Sequence, residues 1–556
     1  MHPVSQVLKN KKMKALNKYL IAIIWMAPCW VYGQGKDTLK TDQINVIRAF
    51  EPEVNLVNKV NFPPNLPVIK TTSSPQVQKF VFENYPTTIQ YTPEDLRPLR
   101  YHAPEISNTS LGYLKAGFGN YLTPVLDFSI ANKNTEKYRT GLQLDFIYSK
   151  SKKPKFRQYY ELGLEGFGEY YLENTTIGAK ARLDMNQYYL YGMEPAEADL
   201  TSKKDISRKY TNPQFGIYFF NHHGNKWNLN FAGNVDVDIV STDFDNKGAN
   251  VKVDLKGYKE FLGDRYKLGV DLEVQHSKDQ NTLIDSARTA VTIRPYGAIH
   301  KGIWSLEIGP VLLMEKGGFH VLPSIHNQVK LAGDKLVMYN EWNSRFGYNN
   351  LATVYRENPF ISDGLIYRNY RFQERTILGL RGALESGFSY DARFGQHVWS
   401  DMPLFVNDTN DFKQFVQVVE DNLSAWNGHI ELKYTKPKML ELGAAFDYYA
   451  YKTESEQAAW HMPEYKFRLS GTYLWKDKLT AGAEIETLGG IKVKNNLGDV
   501  EKLKTIVDIN LHADYHILHN IAVFVELNNL LNNQHPRWNH YDLYGFHGIG
   551  GVKITF

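Results

Sequence analysis

Cysteine is almost absent: the 556 residues hold one, Cys29. A chain with a single cysteine cannot be a disulfide-stapled scaffold. Long apolar runs are also missing. After residue 33 no stretch approaches the ~18 consecutive apolar residues of a membrane helix. Charge of one sign is nowhere concentrated. The net charge is +4, with both signs spread along the chain, which excludes the clustered Lys and Arg of a nucleic-acid footprint. Catalytic signatures are lacking too, with no Gly-x-Ser-x-Gly elbow and no His-Glu-x-x-His. No enzyme activity, metal or cofactor is expected. "GLEGFGEYY" (Gly163–Tyr171) has the glycines of a phosphate loop, but it sits in a strand pattern with no helix after it. These read as strand glycines. His222 and His223 are adjacent at a turn, without the spacing that aims two rings at one metal.

The first 110 residues differ from the rest. Lys14 and Lys18 precede an apolar core, Tyr19–Val31, and the small residue Gly33. This is the pattern of a secretory signal peptide, so residues 1–33 are read as one. "MAP" before Cys29 is not the Leu-small-small pattern of a lipidated cysteine. Residues 34–110 hold nine of the 23 prolines, from Pro52 to Pro104. Proline removes backbone donors from helices and ladders alike. The segment is read as extended, periplasmic or luminal, and too short for a domain with its own core.

From Leu111 onward short alternating pieces take over. Tyr266, Leu268, Val270, Leu272 and Val274 alternate with Arg265, Lys267, Gly269, Asp271 and Glu273. Leu440, Leu442, Ala444, Phe446 and Tyr448 repeat the pattern, as do Leu503, Thr505, Val507, Ile509 and Leu511. Period two over nine or more residues matches the ~9–11 residues of a membrane-spanning strand. Aromatics reach 13%, with 36 Tyr, enough to supply interfacial girdles. About 22 segments qualify. They start near residues 112, 122, 138, 158, 176, 208, 227, 249, 265, 288, 302, 317, 334, 376, 387, 423, 439, 464, 478, 502, 520 and 545. Alternate connections are short: 173–176, 222–226, 262–264, 333–335, 436–438, 476–478 and 516–520. The others are long: 193–207, 278–287, 342–375, 400–422, 454–463, 490–501 and 529–544. Short turns at one end and long loops at the other are the asymmetry of outer-membrane barrels. The short "EKGG" at 315–318 breaks the alternation. The expected fold is all-β: a transmembrane antiparallel barrel over 111–556, with an even strand number between 16 and 22, about 22.

Lipid offers no partner to a bare strand edge, so the last strand must pair with the first, Leu111–Gly119. In "GFHGIGGVKITF" (Gly545–Phe556), Phe546, Val552, Ile554 and Phe556 are assigned to lipid, and His547, Lys553 and Thr555 to the lumen. Strand glycines there would let the strand bend and pack against whatever lies inside. Inward Asp, Glu, Lys and Asn side chains are read as an ordinary wet lumen rather than a solute filter. The longest connection, Trp342–Arg375, is rich in Tyr, Arg and Asn. Such a loop suits sugar or protein contact, or covers the barrel mouth.

The stretch Asn520–Phe556, "NIAVFVELNNLLNNQHPRWNHYDLYGFHGIGGVKITF", resembles the C-terminus of TonB-dependent receptors. Asn529, Leu530, Leu531 and Asn532 match that family's turn, and "AAWHMPEYKFRLSGTYLW" (Ala458–Trp475) is similar to its penultimate region. The resemblance covers the barrel. It implies uptake of a solute across the outer membrane of a Gram-negative bacterium. It also implies a C-terminal signal for the barrel-insertion machinery, carried here by Phe556, Ile554 and Val552. The family's folded plug is longer than 34–110, although "TDQINVIRAFEPEV" (Thr41–Val54) is faintly like a plug entry. A shortened plug leaves two readings open, a transport protein or a non-transporting barrel subunit of an outer-membrane complex. Expected partners are outer-membrane lipid and the insertion machinery. An energy-coupling protein or other outer-membrane subunits stay open as partners, and no nucleic acid is expected.

Overall fold

The computed structural model describes residues 111–556, apart from 133–136, 152, 223, 224 and 226. All lie in one compact unit, Asn65–Phe556; the other unit, Met1–Pro64, contains no described residue. The leader and the Pro-rich segment 34–110 therefore fall outside the described residues, as does His223.

The first six strands are β1 (Gly112–Gly119), β2 (Thr123–Ala131), β3 (Tyr138–Ser149), β4 (Tyr159–Tyr171), β5 (Thr175–Tyr189) and β6 (Ser207–Asn221), with helix α1 (Pro195–Leu200) between the last two. There follow β7 (Leu229–Thr242), β8 (Lys247–Phe261), β9 (Tyr266–Gln280) and β10 (Asp285–Lys301). Two strands are interrupted: β11 (Trp304–Ile308, then Val311–Glu315) and β12 (Gly318–Leu322, then Ile325–Asp334). After β13 (Val337–Gly347) and helix α2 (Leu351–Glu357) come β14 (Tyr370–Ala383), β15 (Phe388–Asn407), β16 (Phe415–Lys436) and β17 (Leu440–Lys452). The ring ends with β18 (Tyr465–Trp475), β19 (Leu479–Gly489), β20 (Ile506–Leu518), β21 (Ile521–Asn528) and β22 (His547–Thr555). A small hairpin, Lys492–Lys494 with Val500–Lys502, stands apart from the ring. Twenty-two antiparallel strands thus make one sheet, and β22 closes it on β1 from Tyr113↔Thr555 to Gly119↔Ile549.

The outer face is apolar and exposed. Leu142, Ile217, Val235, Leu268, Leu442 and Val525 project from it, a surface that only lipid can cover. At the short-turn end it carries a belt of aromatics: Tyr138, Tyr170, Tyr266, Trp304, Trp475, Tyr515 and Phe556. The fold is a membrane-spanning barrel of the outer membrane.

Most expected starts fall within a few residues of the observed ones. Two are late: the segments placed at 376 and 423 begin at Tyr370 and Phe415. The connection read as 400–422 shrinks to 408–414, because β15 and β16 run 20 and 22 residues, well past the bilayer. Likewise 278–287 shrinks to 281–284. The turn at 315–318 is real; β11 and β12 form a short hairpin at the long-loop end. "GLEGFGEYY" lies in β4, and a Cβ on Gly163 would collide with Asp145 and Arg182. His222 bonds Thr176 at a short turn, at 2.8 Å.

On β22 the two faces are as expected. Phe546, Val552 and Phe556 are exposed outward, while His547 and Ile549 are buried inward. Phe524 of β21 is what packs on the glycines: its ring lies against Gly551 and Gly117 on the luminal side of the closure. Lys115 and Lys553 sit 5.0 and 5.1 Å from that ring. They also pair with Glu526 at 2.9 Å and Asp514 at 2.7 Å. On the lipid side the Phe556 ring covers Gly112, and the two backbones exchange bonds of 2.8 and 3.0 Å.

Candidate functional site: the loop cap over the barrel mouth

Charges on the inner wall are paired along single strands and across nearby ones. Arg182 reaches Asp184 at 2.7 Å and Asp145 at 3.3 Å; Arg294 reaches Asp271 at 2.7 Å and Glu307 at 3.0 Å. Lys252 lies 3.4 Å from both Asp254 and Glu273. In each of these networks the cation is neutralised locally by its carboxylate partners. Among the described residues no group of three or more His, Cys, Asp or Glu converges in a way that could hold a metal.

The distinctive geometry is at the long-loop end. Twenty-two strands spaced ~4.8 Å and tilted ~40° close into a ring roughly 44 Å across. Several connections meet over that opening. The 348–369 connection does not extend outward; it folds into the barrel. Its helix α2 starts with a capping box: the Asn350 side chain accepts from Thr353 N at 3.0 Å, and Thr353 Oγ1 accepts from Asn350 N at 2.9 Å. The helix lies on the luminal side of β6–β9. Tyr355 stacks on Tyr210 at 4.5 Å, and Leu351 N donates to Asp279 at 3.2 Å. Arg208 on β6 ties down the same connection through Asp363 (2.9 Å) and the Ile361 carbonyl (3.2 Å). Arg288 on β10 does so through the Asn349 carbonyl at 2.7 Å.

Three further connections cross to meet it. Tyr541, from 529–546, stacks on Phe360 at 3.7 Å and meets Tyr191, from 190–206, edge-on at 4.9 Å. Its hydroxyl donates to the Lys413 carbonyl in 408–414. Lys413 Nζ also reaches Glu197 of α1 at 2.6 Å. The connections carrying Glu197 and Lys413 stand ten strands apart, almost opposite each other around the ring. Trp538 packs on Phe405, Phe415 and His461 at 5.2, 5.5 and 5.0 Å. Tyr191, Phe360, Phe405, Phe415, Trp538 and Tyr541 form one buried cluster with Leu351, Ile361 and Tyr210, so the loops make a hydrophobic core across the mouth.

His461 holds this core together. Its Nδ1 donates to the Phe405 carbonyl at 2.9 Å, and its Nε2 accepts from Asn539 N at 3.3 Å. A carbonyl can only accept and a backbone N–H can only donate, so the ring is neutral. Arg537 donates to the His461 carbonyl at 2.7 Å. Burial, reinforced by the Arg537 charge, pushes the imidazole down to about 3. Burial also lowers Arg537 to about 10, against the opposing pull of Glu357. Glu357 is itself raised by burial.

The longest connection thus proves to be structured. Tyr348, Tyr355 and Tyr367 are spent on internal packing, so they are not the contact surface that their composition suggested. The Asn350-x-x-Thr353 pair was a legible start signal for α2. Nothing in the sequence alone paired Glu197 with Lys413.

No family model matches the chain, and no curated relative does. Solved structures match its fold. The FrpB iron transporter from Neisseria meningitidis (F3-3 variant) superposes with a TM-score of 0.62 at 11% identity, covering 80% of this chain and 81% of that one. The siderophore receptor PirA from Acinetobacter baumannii gives 0.62 at 9% identity, over 82% and 81%. The copper transporter OprC gives 0.60 at 12%, over 81% of each. The class defined by fold and topology is the 22-strand outer-membrane barrel. Within that class its fold is similar to that of the FrpB, PirA and OprC barrels.

Proposed function

We propose that this protein moves a solute across the outer membrane through its barrel, with the loop cap as a barrier that opens during passage. The observation carrying this reading is the inward-folded 348–369 connection and the cross-mouth contacts of Tyr541 and Lys413. A ring this wide left open would be an unselective hole, and a selective transporter needs such a barrier. In this reading residues 34–110 act as a partial plug, and an energy-coupling protein is the partner that moves it. The named matches are transporters and a receptor, which supports transport without naming a solute. The packing of the cap favours a second reading. Leu351, Ile361, Tyr210 and Phe415 are fully buried, and a cap this tight also suits a silent barrel subunit, with 34–110 as a contact arm.

Planar-bilayer conductance and uptake separate the two. Transport expects discrete openings that become more frequent when 349–366 is replaced by a short Gly-Ser linker. It also expects uptake by intact cells that is lost on deleting 34–110. A barrel silent in both forms, and copurifying with other outer-membrane proteins, is the structural subunit.

A further inference from the structure

The barrel wall is not hydrogen-bonded all the way up. β12 pairs with β13 from Lys330↔Val337 to Ile325↔Trp342, and there the ladder stops. Above it, Gly318–Leu322 pairs only with the upper part of β11, and the top of β13 only with β14. Both interrupted strands break at this height, at Gly309–Pro310 and Pro323–Ser324. The prolines cannot donate. A Cβ on Gly309 would lie 2.5 Å from the Pro295 carbonyl, so the bend is close-packed.

The two parts of the wall overlap instead. By register, Leu313, Glu315 and His320 point from the β11–β12 hairpin toward the lumen. Ser344, Phe346 and Arg371 point outward from β13 and β14. These opposed faces touch. Leu313 is fully buried against Phe346, Tyr348 and Ala290. Ser344 Oγ donates to the Pro323 carbonyl at 2.6 Å. Arg371 lies 3.6 Å from Glu315 and 2.5 Å from Asp401. The hairpin's other face, Met314, Phe319 and Val321, is exposed and apolar, facing the membrane.

We propose that this overlap is a lateral route through the wall, between lumen and outer leaflet, for an amphiphile with an acyl chain and an anionic head. Elsewhere, parting two strands in lipid strands a full ladder of backbone groups, each costing several kcal/mol. Here no ladder has to break; only side-chain contacts separate. The passage is lined by Leu313, Phe346 and Tyr348, which suit an acyl chain. Arg371 is a cation that faces the opening, beside His320 and Glu315, and it can exchange Glu315 for a ligand anion. The inference adds a cargo class to the transport reading and rests on that reading for its biological use.

The test uses the full chain in phospholipid vesicles with a diazirine-bearing palmitate as photoprobe. Pro323→Cys with Ser344→Cys, joined by a disulfide or a short bis-maleimide, clamps the overlap; Cys29 is the only native cysteine. The expected result is labelling of Leu313, Phe346 or Tyr348 that falls at least ten-fold on clamping. Labelling confined to Met314, Phe319 and Val321, clamped or not, is ordinary lipid contact and overturns the route. In the unmodified protein, the amides of 318–322 and 343–347 that point away from β11 and β14, toward the open edge, should exchange at least ten-fold faster than those of β8 and β9 at the same depth. Equal protection overturns the open edge. Axial conductance is read separately, so failure of the route and failure of transport are distinguishable.

Discussion

Acidification should loosen the cap, and His461 sets by how much. With the cap closed, the imidazole is neutral and its proton affinity is lowered from 6.5 to about 3. With the cap open, it returns to ordinary behaviour. The open state therefore binds a proton from about pH 6.5 downward, while the closed state does not until about pH 3. The closed cap has its full His461 contribution above about pH 6.5 and loses it as pH falls. The loss amounts to about 2 kcal/mol at pH 5 and roughly 4 kcal/mol at pH 3. Raised acids in the same region, Glu357 and Asp363, slope the opposite way, so the measurement must isolate the histidine. Ala459→Cys supplies a reporter, since Ala459 is buried two residues from His461. Its thiol-labelling rate, where labelling is slower than reclosing, follows the open population. Measured with and without His461→Gln, the ratio of rates cancels both the intrinsic reactivity and the carboxylates. It should rise about 25-fold from pH 7 to pH 5, the equivalent of about 2 kcal/mol. A flat ratio would refute the claim that burial of this neutral ring stabilises the cap.

Three further outcomes follow from the geometry. Gly551→Ala places a methyl against the Ala116 carbonyl and 2.6 Å from Gly117 Cα. It should abolish the heat-modifiable band of a closed barrel on gels, whereas Gly550→Ala, with 3.6 Å to its nearest atom, should keep it. Glu420 is fully buried and accepts from the backbone of Glu454, Ser455 and Glu456 at 2.7, 3.1 and 2.7 Å. Glu420→Gln turns a donor toward those donors; a cost of about 3 kcal/mol should appear as faster proteolysis within 453–464. Phe556→Ala, made alone and with Ile554→Ala and Val552→Ala, should slow assembly into membranes bearing the insertion machinery. Unchanged assembly kinetics would remove these residues from that role.

The wall was legible wherever one face met lipid and the other water. Val270 and Leu272 against Asp271 and Glu273 is a period-two pattern that only a two-sided strand produces, and β9 spans it. Legibility failed where that contrast ends. The start of β14 was missed because Arg371, Gln373 and Arg375 occupy its outward positions. Arg371 lies against the β11–β12 hairpin and Trp342 meets both Gln373 and Arg375, so there the outer face meets protein. The start of β16 was missed because Phe415–Glu420 rises above the membrane among the loops. There neither face needs to suit lipid. The cap was invisible for a different reason. Its contacts join residues such as Glu197 and Lys413, far apart in the chain, and no local pattern encodes such a pairing.

Cap and overlap share one cause. The 348–369 connection turns into the lumen, and Tyr348 bonds the Arg288 carbonyl on the inner side of β10 at 2.7 Å. To reach that bond, the tops of β13 and β14 must pass behind the β11–β12 hairpin, which removes them from the plane of the sheet. The unpaired edges of β12 and β13 are thus the consequence of folding the connection inward. Withdrawing it to clear the axial path would free β13 to rejoin β12 and seal the wall. The axial and lateral paths should therefore exclude each other. Replacing 349–366 with a Gly-Ser linker should raise conductance and, in the same preparation, protect the amides of 318–322. Conductance gained without that protection would show that cap and wall move independently.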